Sequence, residues 1–173
     1  ERLGDHAVNL VKAGKELENK SLFFSEEARR ELGVLTSAVR EILQLTTDCY
    51  INTDHEMAHH VEPLEQVIDG LTREIKEHHL SRLHAGRCSI ELGFILTDLL
   101  TDYERISDHC SNIAVAVIEL QHDAMDSHRY LNEMKRDSDA FRQMYTAFRE
   151  KYILPESAYI QKQTEEYRKL VNP

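Results

Sequence analysis

The sequence predicts an all-α protein: an antiparallel three-helix bundle with further helical segments on either side. Three observations carry this. Apolar residues recur at spacings of three and four along nearly the whole chain, while strand-like alternation is almost absent. Six glycines and three prolines in 173 residues leave few places to turn, so the elements must be long. One ten-residue stretch also occurs twice. Glu1-Arg2-Leu3-Gly4-Asp5-His6-Ala7-Val8-Asn9-Leu10 aligns with the segment from Glu104 to Ile113, with Glu, Arg, Asp, His and Asn coinciding. The offset is 103 residues, which suits one helical-bundle unit and is too long for a small solenoid repeat.

Residues 1 to about 20 read as the tail of a helix, with Leu3, Ala7, Leu10 and Leu17 on one side. Ser21-Leu22-Phe23-Phe24 breaks it, and its apolar patch is expected to tuck under the bundle. Ser25 offers an N-cap, followed by Glu26 and Glu27 in the first turn, where the helix dipole favours anions. That helix runs to about Tyr50 on Leu32, Leu35, Val39, Ile42 and Cys49. Thr53 and Glu56 have capping-box spacing and start the next helix, whose apolar face is Met57, Val61, Leu64, Ile68, Leu71 and Ile75. Pro63 within it predicts a kink near His59, and Gly86 marks its end. Ser89 caps the third long helix, which carries Leu92, Leu96, Leu99, Tyr103, Ile106, Cys110, Ile113 and Val117 inward and continues to about Gln121. Two shorter helices, 128–152 and 156–170, follow, parted by Leu154-Pro155. The chain thus divides into 1–24, the end of a preceding repeat; 25–122, a complete three-helix repeat; and 123–173, a helical extension in which nothing points to chemistry.

Composition narrows the partners. A net charge of −10 disfavours nucleic acid, whose phosphates call for clustered Lys and Arg, and equally disfavours direct docking on anionic lipid. Metal cations are what such a charge attracts. Cys49, Cys88 and Cys110 are odd in number and contain no CxxC pair, so a reducing compartment is the simpler reading. The apolar run Ile113 to Ile118 is far too short to span a bilayer. Because the first residue lies inside the repeated motif, the chain is expected to be a fragment whose upstream part is missing.

The repeated motif carries chemistry. Glu104 and Asp108 are four apart and stack on one helix face, where two carboxylates can meet one cation. In a chain with 30% charged residues such a pair is usually a solvated face, but a solvated face has no reason to recur with its Arg, His and Asn. Glu104-Arg105-Ile106-Ser107-Asp108-His109 with Asn112 resembles the signature of the PhoU family of phosphate-uptake regulators. Members are tandem three-helix bundles that bind metal clusters through Glu/Asp-x-x-x-Asp motifs. The segment from Glu77 to Cys88, running on to Asp108-His109-Cys110-Ser111-Asn112-Ile113-Ala114, resembles the PhoU-like C-terminal domain of bacterial sodium/phosphate cotransporters. The resemblance covers about Glu26 to Leu120, plus residues 1 to 20 as the end of an earlier repeat.

Glu65 and Asp69 form another Glu-x-x-x-Asp pair, which the resemblance makes the partner motif on the neighbouring helix. At about 100° per residue, Glu65 and Asp69 sit at one flank of their helix's core stripe and Glu104 and Asp108 further round on theirs. Antiparallel neighbours could therefore bring four carboxylates to one solvent-open edge. Unpaired they would repel and raise one another's pKa, and a cation removes that penalty. Oxygen donors from two helices suit hard or borderline cations; the preference for iron or zinc comes from the resemblance. Glu1 and Asp5, equivalent to Glu104 and Asp108, are candidate ligands of a second cluster. The plain alternative is a surface ladder of acids paired with Arg73, Lys76 or Arg105. Asp98 and Asp102 repeat the spacing but lie off that face. His55-Glu56-Met57-Ala58-His59 matches the zinc-protease pattern H-E-x-x-H, but it occupies a helix's first turns just before a proline and reads as a polar turn. His109 and His6, next to the candidate aspartates, are placed to orient ligands.

The expectation is a metal-binding regulatory module rather than an enzyme: a PhoU-like domain on the cytoplasmic side of the membrane, fused behind a sodium/phosphate transporter and acting on its membrane domain. Self-association is expected as well, because Leu3, Ala7 and Leu10 would be left bare. The alternative is a carboxylate-ligated metalloenzyme on a helical bundle, for which no candidate nucleophile or pocket is evident.

Overall fold

The computed structural model describes residues 2–120 and 139–155. Six helices lie within them: α1 Arg2–Asn19, α2 Glu26–Asn52, α3 His55–Ala58, α4 Val61–His84, α5 Ile90–Glu119 and α6 Asp139–Lys151. No strand occurs among the described residues. Local signals place most of the boundaries. The Ser25 hydroxyl accepts from the Ala28 N–H at 3.2 Å and the Ser89 hydroxyl from the Leu92 N–H at 3.2 Å, each satisfying a donor that the first turn leaves open. Gly86 takes φ +66°, the left-handed conformation that closes α4. Arg87 N–H then reaches the Arg82 carbonyl at 2.9 Å and Gly86 N–H the Leu83 carbonyl at 3.0 Å.

Between α2 and α4 the structure departs from the sequence reading. Thr53 does not cap the next helix; it adopts φ 51° and closes α2, its N–H directed at the Cys49 and Tyr50 carbonyls. The cap is Asp54, whose side chain accepts from Met57 N–H at 2.9 Å. The expected kink is a full break, with α3 ending at Ala58 and α4 starting at Val61. Pro63 is consequently in the first turn of α4, where its missing N–H costs nothing. In the loop after α1, Leu22 and Phe24 are half-buried, but Phe23 is 81% exposed rather than tucked under the bundle.

Helices α2, α4 and α5 enclose a core in which Leu35, Ile42, Leu64, Ile68, Leu71, Ile75 and Leu100 are fully buried. Helix α5 also packs against α1, so it is covered on three sides. Its buried set is accordingly wider than one stripe. Leu92, Leu96, Ile106, Cys110 and Val117 are buried as expected, while Leu99, Tyr103 and Ile113 are half-buried and Leu100, Asp102, Ser107, Ser111 and Ala114 are also buried. Helix α1 runs antiparallel to α5: His6 near its start meets Asp102, and Lys20 just past its end reaches Glu91 at 2.8 Å. Leu3 and Leu10 therefore pack against the core and Ala7 is exposed. This removes the bare apolar stripe on which self-association was expected, because α5 itself supplies the cover. Helix α6 packs on α4, with Arg149 reaching Glu74 at 2.8 Å; its last residue, Lys151, reaches Glu41 on α2 at 2.7 Å, and just past it the Tyr152 hydroxyl donates to Glu41. The rest of the two C-terminal helices expected from the sequence, 128–138 and 156–170, lies outside the described residues.

One polar tie is wholly inside. Glu31 of α2 is 0% exposed and accepts two parallel bonds from Arg82 of α4, at 2.8 and 2.7 Å. His78 Nδ1 lies 2.7 Å from the same carboxylate. The fork holds α2 and α4 in register at the end of the bundle where α4 stops. Removing one partner leaves the other charges buried and uncompensated, so Glu31→Ala is expected to lower unfolding free energy by about 3–5 kcal/mol in urea titrations. Replacing Glu31, His78 and Arg82 together by apolar residues should recover most of that loss.

Candidate metal centre

The four candidate carboxylates lie on α4 and α5, which pack against one another. On α4 the stripe Val67, Ile68, Leu71, Ile75 faces the core, which leaves Glu65 and Asp69, one turn apart, half-buried beside it. On α5 burial of Ile106, Ser107 and Cys110 leaves Glu104 and Asp108 half-buried at the opposing edge. Asp69 holds its proton more tightly than an ordinary carboxyl, first because burial penalises its charge, then because Glu104 and Asp108 stand close; Arg73 offsets part of this. Three of the four candidates thus share one electrostatic neighbourhood.

Glu104 is already engaged. Its Oε1 accepts from the Thr72 hydroxyl at 2.8 Å and from the Lys76 ammonium at 2.9 Å. Arg105 lies 3.5 Å from Asp108. Two of the cations foreseen for a surface acid ladder are therefore in place, with Lys76 on Glu104 where a metal would otherwise balance the charge. Among the described residues, no three His, Cys, Asp or Glu side chains converge as a metal-holding group. The donor chemistry fits a hard cation, and the like-charge crowding of Asp69 is what a cation relieves; Lys76 would have to release Glu104.

The recurrence in α1 goes elsewhere. Asp5 is exposed and Glu1 lies outside the described residues. Its neighbours His6 and Asn9 instead grip Asp102 of α5, at 2.7 and 3.2 Å. Asp102 was set aside in the sequence as lying off the metal face; it is buried because that other face is the α1 interface. The sequence reading also missed Glu62, a buried carboxylate that accepts from the Ser111 hydroxyl and adds to the charge felt by Asp69. Its position three residues before Glu65 was the available signal. The H-E-x-x-H segment has no continuing helix behind it: α3 ends at Ala58, His59 is its C-cap and Glu56 is exposed.

Residues 34–117 match the family model described as the PhoU domain, a span that takes in α4, most of α5 and all four central acids. The chain carries a PhoU domain. Over 126 residues it is 26% identical to the phosphate-specific transport system accessory protein PhoU homolog 1 of Thermotoga maritima, an alignment covering 70% of this chain and 51% of that protein. Over 121 residues it is 33% identical to the phosphate-specific transport system accessory protein PhoU homolog of Zymomonas mobilis, covering 68% of this chain and 48% of that protein. The chain spans about half the length of these curated relatives. No solved structure matches it significantly. The PhoU match agrees with the helical bundle, and α1, with Asp5, lies outside the matched span.

The crowding at Asp69 has a measurable consequence. A carboxyl whose folded-state pKa is raised above its ordinary 3.8 costs stability once ionised, and the cost grows as pH rises through the folded value. In metal-free protein Asp69→Asn should therefore raise Tm at pH 7, and the gain should vanish below about pH 4, where both states are protonated. Thermal scans of the two proteins across that range check it.

Proposed function

We propose that this PhoU domain is a metal-dependent regulator of phosphate uptake, acting from the cytoplasmic side on the membrane domain of a sodium-dependent phosphate transporter. The observation that carries the metal part is the shared neighbourhood of Asp69, Glu104 and Asp108 on facing helices, inside the span that matches the PhoU domain. The phosphate part is supported by the relatives, both named as accessory proteins of phosphate-specific transport systems. That no helix among the described residues is long and apolar enough to cross a membrane is consistent with a module working beside a transporter.

In this reading Asp69, Glu104 and Asp108, with Glu65 at the same flank, hold an iron or zinc ion that neutralises them and ties α4 to α5. Thr72 keeps Glu104 turned towards α4, and Lys76 serves as its counter-ion when the metal is absent. Metal occupancy would then exchange an internal ammonium for a bound ion, freeing Lys76 at the surface where a transporter could sense it. Self-association accompanies this proposal without the α1 stripe that first suggested it, and the scattered exposed residues Val8 and Val11 are the part of α1 left to serve it.

The test compares metal content of protein purified after iron or zinc loading. Glu104→Gln/Asp108→Asn should lose the metal, together with the rise in Tm that a ligand of the native state confers. His55→Ala/His59→Ala should retain both. In cells, the carboxylate variant should also uncouple phosphate uptake from phosphate supply. Retention of metal by the carboxylate variant, with loss from the histidine variant, would move the site to the H-E-x-x-H turn. Loss from neither would leave the acids as a solvated ladder.

A further inference from the structure

Helix α5 is covered by α1, α2 and α4, and its fourth side is apolar at the end where the helix begins. Lys20, just past α1, reaches Glu91 at 2.8 Å. On the other flank His79 of α4 closes on Gly93, where a Cβ would come within 2.8 Å of the imidazole Nε2. These two contacts set α1 and α4 on either side of the first turns of α5. At about 100° per residue, Leu92, Ile95 and Leu96 fill the arc between them that turns to the core, and all three are buried. Ile90 and Phe94, one turn apart, fall in the opposite, open arc. Leu80 follows His79 on α4 and Phe23 follows Lys20 by three residues, so one apolar side chain flanks the pair from each side. All four are more than half exposed, Phe23 at 81% and Phe94 at 69%.

Single exposed apolar residues are ordinary, but a group of four that includes two phenylalanines calls for an occupant. Leu22 and Phe24 are half-buried and anchor the loop after α1, which leaves Phe23 between them turned outward. Charge points to what the occupant is. Within the patch Glu91 is matched by Lys20, and Arg87, in the turn before α5, lies 3.7 Å from Glu27. Elsewhere a chain of net −10 repels its own copies, so a patch whose charges are already paired is where two copies approach with least repulsion. The same net charge opposes anionic lipid. Area sets the strength. At these exposures the four side chains offer roughly 400–500 Å² per copy. Two copies together would bury on the order of 900 Å², below the about 1,200 Å² at which stable interfaces begin, so the contact is weak and concentration-dependent.

We propose that Phe23, Leu80, Ile90 and Phe94 form a two-fold interface on which a second copy of this chain docks, the phenylalanines of one copy packing on those of the other. The proposal gives a surface to the self-association in the reading above and rests on that part of it alone. Metal binding at the acids neither requires this contact nor follows from it.

Sedimentation velocity of the whole chain from roughly 10 μM to roughly 1 mM tests it. The parent should pass from monomer to dimer and stop there, because a two-fold contact closes on itself. Phe94→Asp and, separately, Phe23→Asp should each weaken the dimer about tenfold or more. Both positions are exposed, so the monomer's Tm should hold in each variant. Added salt should strengthen the dimer, since it screens the repulsion between copies and spares an apolar contact. Val8→Asp/Val11→Asp should leave the dimer unchanged. A dimer that survives both phenylalanine variants and is lost in Val8→Asp/Val11→Asp keeps the self-association and overturns this interface. A chain that stays monomeric throughout overturns both. Monomer that binds neutral phosphatidylcholine vesicles, with the binding lost in Phe94→Asp, gives the patch to a lipid surface and likewise overturns the proposal.

Discussion

Burial of α5 on three sides is the constraint on which the rest of this structure depends. A helix covered by α1, α2 and α4 cannot keep all its polar residues wet, and each one that is covered must find a partner in whichever helix covers it. Asp102 and Glu104 show the outcome. Two positions apart, they point about 200° apart around the helix. Asp102 enters the α1 interface, where His6 and Asn9 satisfy it; Glu104 meets α4 and receives Thr72 and Lys76. A spacing of two residues thus sends neighbouring acids to opposite sides of α5, as the sequence reading had it when it set Asp102 off the face of Glu104.

Helix α4 is tied by polar contacts at both ends, and the acidic edge lies between them. Near its start, buried Glu62 accepts from Ser111 of α5; near its end, Arg82 and His78 close on Glu31 of α2. These ties hold α4 in fixed register with both neighbours. The carboxylates in between therefore face one another across a rigid gap and cannot relax apart by sliding. Burial first, and then crowding in this fixed frame, gives Asp69 its raised proton affinity, and the crowding is also what would let a cation there act as a link between helices. A single ammonium, Lys76, meets part of the demand, and its flexible stem makes the pairing reversible.

The extra helices have different relations to this core. Helix α1 supplies the cover for one side of α5 and continues the repeat pattern, while α6 packs on α4, and Lys151 at its end and Tyr152 just past it contact Glu41 of α2 through an ammonium and a hydroxyl. Burial on α1 is slight, with Ala13 its one buried residue, so its place is specified less by apolar area than by the polar bonds it makes to Asp102 and by Leu3 and Leu10 resting on the core.

The sequence by itself determined the helical class, the start of α2, the end of α4 and the start of α5 through Ser25, Gly86 and Ser89, the core stripes, and the nearness of Asp69 on α4 to Glu104 and Asp108 on α5. These are short-range properties, set by spacing along one helix and by the first and last turns. It did not determine that Thr53 would turn left-handed and pass the cap to Asp54, since both residues can cap and only the path of the chain after α2 selects between them. Nor did it determine that the face of α5 carrying Asp102 would be covered by α1, because α5 has three covered sides and one period describes one stripe. That Leu3 and Leu10 are covered, that Asp102 is a buried partner of His6, and that Lys76 holds Glu104 were decided by tertiary packing, which alone fixes which helix lies against each face.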